Sequence, residues 1–212
     1  MSQTIMNKLR THLQNRPIGT IGKYSFFSVL VPIVKKDGKL HLLYEVRSPH
    51  MKRQPGEICF PGGQMKLGES ASQAALRETV EELGVEESKI QLMGQMDTLY
   101  TYSNFTVYSF LGNIEKEAVN QGQVNPEEVE ETFLVPIDYL KENPPKIHDI
   151  SIEPVIGDDF PYDKIDFPQG YQWRKGVSKV PIYQFEGRVI WGLTARITNS
   201  FINILKEADH EI

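Results

Sequence analysis

One segment, residues 63–85, constrains the fold and the chemistry of this chain more than any other. It reads GQMKLGESASQAALRETVEELGV and has no glycine between Ser70 and Leu83. Ser70 suits the N-cap of a helix, and Gly84 suits the position just after its last turn. The segment therefore predicts a capped, alanine-rich helix that follows a Gly-Gly loop.

The predicted helix carries a group of glutamates at helical spacing. Glu78 and Glu82 are one turn apart, and Glu81 is three residues from Glu78, so we expect all three side chains to converge. Like charges repel, and Mg²⁺ prefers carboxylates together with substrate phosphates and water. The spacing predicts a metal site, although an acidic helix on its own is more often a solvated surface. Arg77 can reach Glu81 and also Glu69, which would tie the loop to the helix.

The same segment resembles the Nudix box, in which these residue types recur at fixed spacings. The matching positions are Gly63, Glu69, Arg77, Glu78, Thr79, Glu81, Glu82, Gly84 and Val85. Thr79 is the one departure, because an aliphatic residue is usual there, and it lies on the packing side of the helix. The resemblance implies an α/β/α sandwich with a mixed β-sheet, Mg²⁺ or Mn²⁺ as the cofactor, and the Gly62 carbonyl as a further metal ligand.

A second motif lies upstream and resembles the signature of the Nudix subfamily that hydrolyses coenzyme A. It comprises Arg47-Ser48, Lys52, Arg53, Gly56 and the run 60–63. Lys52 stands where a second arginine is usual, with Arg53 beside it, and one extra residue precedes Arg47. Arg47, Lys52 and Arg53 would bind phosphate oxygens that the metal does not reach, such as the 3′-phosphate of coenzyme A. The alternative is that they are ordinary surface cations.

These motifs predict metal-assisted hydrolysis of a diphosphate bond in a small nucleoside diphosphate compound, with coenzyme A or its thioesters first. The products would be 3′,5′-ADP and 4′-phosphopantetheine or its acyl derivative. Glu82 belongs to the metal site, Glu81 is our first choice for the general base, and Glu131 is our second. For Glu131, a capped turn begun by Asn125 is the alternative. Another nucleoside diphosphate substrate, such as ADP-ribose or a dinucleotide, and a non-catalytic nucleotide sensor are the other functions considered.

Composition limits the binding partners and the cellular location that are expected for this activity. The 23 basic and 28 acidic residues give a net charge of −5, which argues against a broad nucleic-acid surface. Cys59 is the only cysteine, and we expect a buried small hydrophobe there more than a reactive thiol. We expect one domain over residues 1–212, a cytoplasmic location and no membrane partner, and a homodimer is one oligomeric state considered.

Periodicity gives a coarse order of helices and strands. The expected elements are a helix over 4–15, strands over 24–34, 40–46, 91–100 and 105–114, a hairpin of 181–185 with 188–190, and a core helix over 190–205. We expect an elaborated loop over about 143–179. Its aromatic residues could stack on adenine or line a pantetheine groove, but packing in a small hairpin is the favoured alternative. These are Tyr162, Phe167, Tyr171 and Trp173.

Overall fold

A computed structural model of the chain describes residues 2–121 and 123–210. The helices are α1 (Ser2–Asn15), α2 (Ala71–Leu83), α3 (Lys116–Gln121), α4 (Ile137–Glu142) and α5 (Gly192–His210). The strands are β1 (Ser25–Lys36), β2 (Lys39–Arg47), β3 (Ile58–Cys59), β4 (Gly62–Gln64), β5 (Ile90–Gln95), β6 (Leu99–Tyr100), β7 (Phe105–Ile114), β8 (Val129–Pro136), β9 (Lys146–Ile152), β10 (Gly176–Phe185) and β11 (Arg188–Trp191).

The first hairpin, β1 with β2, forms where the sequence predicts it. Asp37 and Gly38 both have positive φ, at 52° and 80°, as the tight turn of a two-residue hairpin requires. Val34 then pairs with His41 and Ile33 with Leu42 in antiparallel register. The apolar run of β1 is therefore placed in the middle of the sheet.

The main sheet is mixed, as predicted. Its strands lie in the order β3-β2-β1-β7-β5, while β4, β6 and β8 pair with β1, β7 and β2. The pairing of β1 with β7 is parallel, and the other pairings in this sheet are antiparallel. The predicted strand over 91–100 is interrupted, because the chain leaves β5 at Gln95 and resumes as β6 at Leu99.

Two hydrophobic clusters cover the two faces of this sheet. Ala75 and Leu83 of α2 pack with Leu30 and Phe110 on one face. Residues of α5, including Phe201, pack on the other face. Successive strand residues point to opposite faces, so the long strands β1, β2, β7 and β8 supply both clusters. This arrangement confirms the predicted α/β/α sandwich.

The expectation of a loop over 143–179 is wrong at both ends of the segment. β9 pairs antiparallel with the first part of β10, in register from Gly176 with Ile152 to Ile182 with Lys146. Periodicity missed this pairing because β9 is exposed along nearly its whole length and so lacks an alternating apolar face. The predicted hairpin after it is confirmed, with β10 and β11 joined at Glu186 and Gly187.

The aromatic residues of this segment pack against one another. The rings of Tyr171 and Trp173 meet edge to face with centroids 5.1 Å apart, and Phe167 lies 5.1 Å from Tyr171. The indole N–H of Trp173 donates to the Tyr162 hydroxyl at 3.2 Å. These aromatic residues are therefore engaged in packing, as the favoured alternative expects, although their partners are mainly one another.

Candidate metal and diphosphate site

Helix α2 has the caps that its sequence predicts. The Ser70 hydroxyl accepts a hydrogen bond from the Gln73 amide, and the Gln73 side chain accepts one from the Ser70 amide. Gly84 ends the helix with φ of 64°, and its amide donates to the Val80 carbonyl. Two reciprocal bonds at one end and a left-handed glycine at the other fix where the helix begins and ends.

Arg77 links the loop before α2 to the acidic side chains of the helix. Its Nε and Nη2 atoms donate to the two carboxylate oxygens of Glu69 at 2.7 and 3.0 Å. Its Nη1 atom contacts Glu78 at 2.7 Å and Glu81 at 3.0 Å. The bidentate bond to Arg77 lowers the pKa of Glu69 to about 2. The expected tie between loop and helix is present.

Glu82 points into the protein, toward the glycine loop. Its side chain is buried, and its Oε2 atom accepts a hydrogen bond of 2.7 Å from the Gly62 amide. Burial, followed by repulsion from Glu45, raises the pKa of Glu82 to about 9. A Cβ atom at Gly62 would collide with the backbone of Ser28 and Val29, so only glycine brings this amide to Glu82.

Glu45 is a second buried acid at this site, and the sequence analysis missed it. Its side chain is 1% exposed, and its Oε2 atom is buried with no hydrogen-bond partner among the described residues. Its Oε1 atom accepts a bond of 3.1 Å from the Cys59 thiol. Cys59 is thus only partly buried and makes a polar contact, rather than acting as a simple hydrophobe. Burial raises the pKa of Glu45 as it does that of Glu82.

Glu78 lies directly against the loop. A Cβ atom added to Gly63 would stand 2.5 to 2.7 Å from the Glu78 carboxylate group. The absence of a side chain at Gly63 therefore makes room for this carboxylate. Close packing against Glu78 therefore explains why this position of the box is a glycine.

The predicted convergence of Glu78, Glu81 and Glu82 is not met in this arrangement. Glu81 is about half exposed and pairs with Arg77 and, at 3.7 Å, with Lys66, whereas Glu82 faces inward. Within residues 2–121 and 123–210, no three His, Cys, Asp or Glu side chains are set to hold a metal ion together. Arg77 holds Glu78 and Glu81 while the Gly62 amide holds Glu82, and a metal site formed by the three acids stays a prediction.

A different set of acids nevertheless fits a divalent cation. Burial is the main cause that raises the pKa of Glu45 and Glu82, and the negative charges of Glu78 and Glu128 raise both pKa values further. Buried charges without partners are costly, and hard cations take carboxylate oxygens. A cation beside Glu82 would favour the ionised forms of these buried carboxyls, which burial otherwise makes costly.

The three predicted phosphate-binding cations have two different environments in the structure. Arg47 is half-buried at the end of β2, its Nε atom has no hydrogen-bond partner among the described residues, and its charge lowers the pKa of Glu45. Lys52 and Arg53 are exposed on the loop between β2 and β3. In the described part of the chain neither of the two forms an ion pair. Arg47 therefore belongs to the acid cluster, and the loop carries the other two.

Glu131 lies on β8, where its carboxylate is already engaged. It forms an ion pair of 2.8 Å with Arg188, whose guanidinium also stands 4.6 Å over the ring of Phe133. Asn125 caps a turn before this strand, accepting from the Glu127 amide at 3.2 Å. Glu128, at the end of that turn, is the residue whose charge acts on Glu45 and Glu82. The sequence contained both acids, but only the pairing of β8 with β2 tells them apart.

Comparison with known proteins identifies the family of this chain independently of the geometry of the site. The family profile described as NUDIX domain matches residues 26–155, which is more than half of the chain. The chain belongs to the Nudix family. The sequence resemblance to the Nudix box is thereby confirmed at the level of the family.

Several curated proteins are similar to this chain. Nudix hydrolase 3 of Caenorhabditis elegans is 40% identical over 118 residues, covering 55% of this chain and 49% of that protein. The peroxisomal coenzyme A diphosphatase NUDT7 of Mus musculus is 35% identical over 142 residues, covering 64% of this chain and 58% of that protein. This chain thus spans only about half of each relative.

A third relative matches over more of its length. The mitochondrial coenzyme A diphosphatase NUDT8 of Mus musculus is 27% identical over 203 residues, or 95% of this chain and 84% of that protein. Among solved structures, a MutT/nudix family protein from Enterococcus faecalis has a TM-score of 0.51 at 15% identity. That match covers 94% of this chain and 69% of the other, and it supports the fold.

Proposed function

We propose that this protein is a metal-dependent hydrolase of a diphosphate bond, with coenzyme A or an acyl derivative as its substrate. The observation that carries the proposal is the pair of buried acids, Glu45 and Glu82, beside the glycine loop of a Nudix domain. An isolated buried carboxylate is costly to ionise. A site that retains two of them suits a bound cation better than it suits a structural core.

The proposed cation is Mg²⁺ or Mn²⁺, held by Glu78 and Glu82 with Glu45 close by. Glu81 and the Gly62 carbonyl stay predicted ligands from the box. Such a cation lowers the pKa of bound water and offsets charge on phosphoryl oxygens. The chain's own residues provide the frame: Arg77 holds Glu69 and Glu78, and the amide of Gly62 orients Glu82.

The proton acceptor is proposed from the acids that border this frame. Glu81 remains the first choice because it is about half exposed and reachable by a substrate-side water. Glu131 remains the second choice, although its pairing with Arg188 at 2.8 Å would have to open first. Glu128 is added as a candidate because its charge already acts on Glu45 and Glu82.

The choice of substrate rests on the upstream motif and on the relatives. Two of the similar proteins are named coenzyme A diphosphatases. Arg47 stands at the acid cluster, while Lys52 and Arg53 lie on the exposed loop before the glycines. A substrate with a diphosphate and a separate phosphate would engage both groups of cations. ADP-ribose or a dinucleotide is the second candidate substrate, and a cytosolic setting is part of the proposal.

The test is release of 3′,5′-ADP from coenzyme A, with and without Mg²⁺, beside ADP-ribose and a diadenosine polyphosphate. Glu82→Gln should abolish turnover, while Glu86→Gln, an exposed acid just after α2, should leave it unchanged. Preference for ADP-ribose would retain the metal site and reject the coenzyme A assignment. Binding of nucleotides without turnover of any of them would instead support a sensor.

A further inference from the structure

Residues 3–24 form a segment whose apolar and basic side chains are not buried by the fold. Every side chain from residue 3 to residue 24 is exposed. Helix α1 (Ser2–Asn15) occupies most of this segment and ends before the linker that leads to β1. An isolated helix of this length is only marginally stable in water, so a surface that covers it would stabilise it.

Helix α1 is amphipathic, and its apolar stripe faces solvent. Ile5, Leu9 and Leu13 follow one another at spacings of one turn, and Met6 lies beside them. Between 50% and 63% of each of these side chains is exposed. The linker continues the pattern with other exposed apolar residues, Ile18, Ile21 and Tyr24. A stripe of this extent normally marks a binding surface.

The charge of the segment indicates what covers the stripe. Residues 1–24 contain four basic side chains, Lys8, Arg10, Arg16 and Lys23, and no acidic one. The rest of the chain contains the other 19 basic residues and all 28 acidic residues. The segment therefore has the opposite charge to the body that carries it, and it suits an anionic surface.

The placement of these cations matches the geometry of a lipid surface. On the helix, Lys8 and Arg10 flank the apolar stripe on its two sides, where long basic side chains can reach headgroups while the stripe enters the acyl region. Pro17, Gly19 and Gly22 interrupt the linker, so the helix can lie flat beside the folded body. Tyr24 supplies an aromatic side chain of the kind found at membrane interfaces.

We propose that α1 and its linker bind the surface of an anionic lipid bilayer and hold the hydrolase domain beside it. Among the described residues no helix is long and apolar enough to cross a membrane, so the proposed attachment is peripheral. It revises the expectation of no membrane partner, which considered only spanning and signal segments. The inference does not depend on the proposed reaction.

The test is co-sedimentation of the full chain with vesicles of phosphatidylcholine alone and with 30% phosphatidylglycerol. We expect binding to the anionic vesicles, which falls as salt is raised. Leu9→Gln with Leu13→Gln, which keeps helix propensity, should weaken binding more than about 100-fold. Lys8→Gln with Arg10→Gln should weaken it about 30-fold at low salt. Thr11→Gln with Asn15→Gln, on the polar face, is the matched control.

Two results would overturn the proposal. One is equal or absent binding to both kinds of vesicle. The other is a dimer in light scattering that dissociates in the Leu9→Gln, Leu13→Gln variant without any vesicle binding, since a second copy would then cover the stripe. Hydrolysis of soluble substrate, measured in parallel, should be the same in all of these variants because none of the changed residues lies near Glu82.

Discussion

Replacing Glu82 with glutamine should stabilise the metal-free protein while removing its response to metal. The wild-type carboxyl has a pKa of about 9 in the fold, against an ordinary value of 4.5. At pH 7.5 the unfolded side chain is ionised and the folded one is protonated, so folding takes up one proton. This pH lies about 3 units above the pKa of the unfolded side chain. That uptake costs about 4 kcal/mol at about 1.4 kcal/mol per unit.

Glutamine removes this cost and adds a smaller one. Its amide oxygen can still accept from the Gly62 amide, but its NH₂ group would be left buried without a partner, at about 1–3 kcal/mol. The net gain is about 2 kcal/mol, or a rise of about 6 °C in Tm for a chain of this size. Because the folded pKa lies above the unfolded one, the contribution of Glu82 to wild-type stability is fully present below about pH 4.5 and is lost as pH rises toward 9.

The assay is thermal unfolding in EDTA at pH 5, 6, 7.5 and 8.5, followed by the same series with Mn²⁺. By the same figures, Glu82→Gln should be about 1 kcal/mol less stable than the wild type at pH 5, about equally stable near pH 6, and more stable at pH 7.5 and 8.5. Added Mn²⁺ should raise the Tm of the wild type and of the control Glu86→Gln, but not that of Glu82→Gln. A metal-free Glu82→Gln protein that is less stable than wild type at pH 7.5 would refute the buried-charge argument.

Three further predictions address other parts of the site. Gly63→Ala should displace the Glu78 carboxylate, which lies 2.5 Å from the new Cβ position. The displacement should lower kcat about 100-fold with little change in Tm, and an unchanged kcat would contradict this prediction. Glu69→Gln should remove the ionic part of the pair with Arg77. In the wild type, the stabilisation from this ion pair is fully present above pH 4.5 and is lost as pH falls through about 2. The difference in Tm between the two proteins should therefore close over that acidic range, and a constant difference would count against it. Arg53→Gln should raise KM for coenzyme A but not for ADP-ribose, with Tm unchanged; equal effects on both substrates would remove its assigned contact with the separate phosphate.

Local sequence was enough to predict the parts of the fold that local contacts determine. The caps of α2 depend on Ser70, Gln73 and Gly84, all within the helix or next to it. The hairpin turn at Asp37 and Gly38 depends on two residues that accept positive φ. In these places the residues that decide the structure are adjacent in the chain.

The composition of the acid cluster could not be predicted in the same way. Glu45 meets Glu82 because β2 lies in the sheet that α2 covers, and Glu128 joins them because β8 pairs with β2. These contacts join segments far apart in the sequence. One signal was available: Glu45 is an acid inside the apolar strand segment HLLYEVR, where burial without a partner is unusual.

The bond between the Cys59 thiol and Glu45 gives the protein a vibrational probe of its own acid cluster. Because the chain has one cysteine, its S–H stretching band arises from a single position. That thiol donates to Glu45 at 3.1 Å, and an S–H band moves to lower frequency as its acceptor becomes more negative. Infrared or Raman spectra of the unlabelled protein would thus report when Glu45 changes its charge, and whether an added cation draws its electron density away.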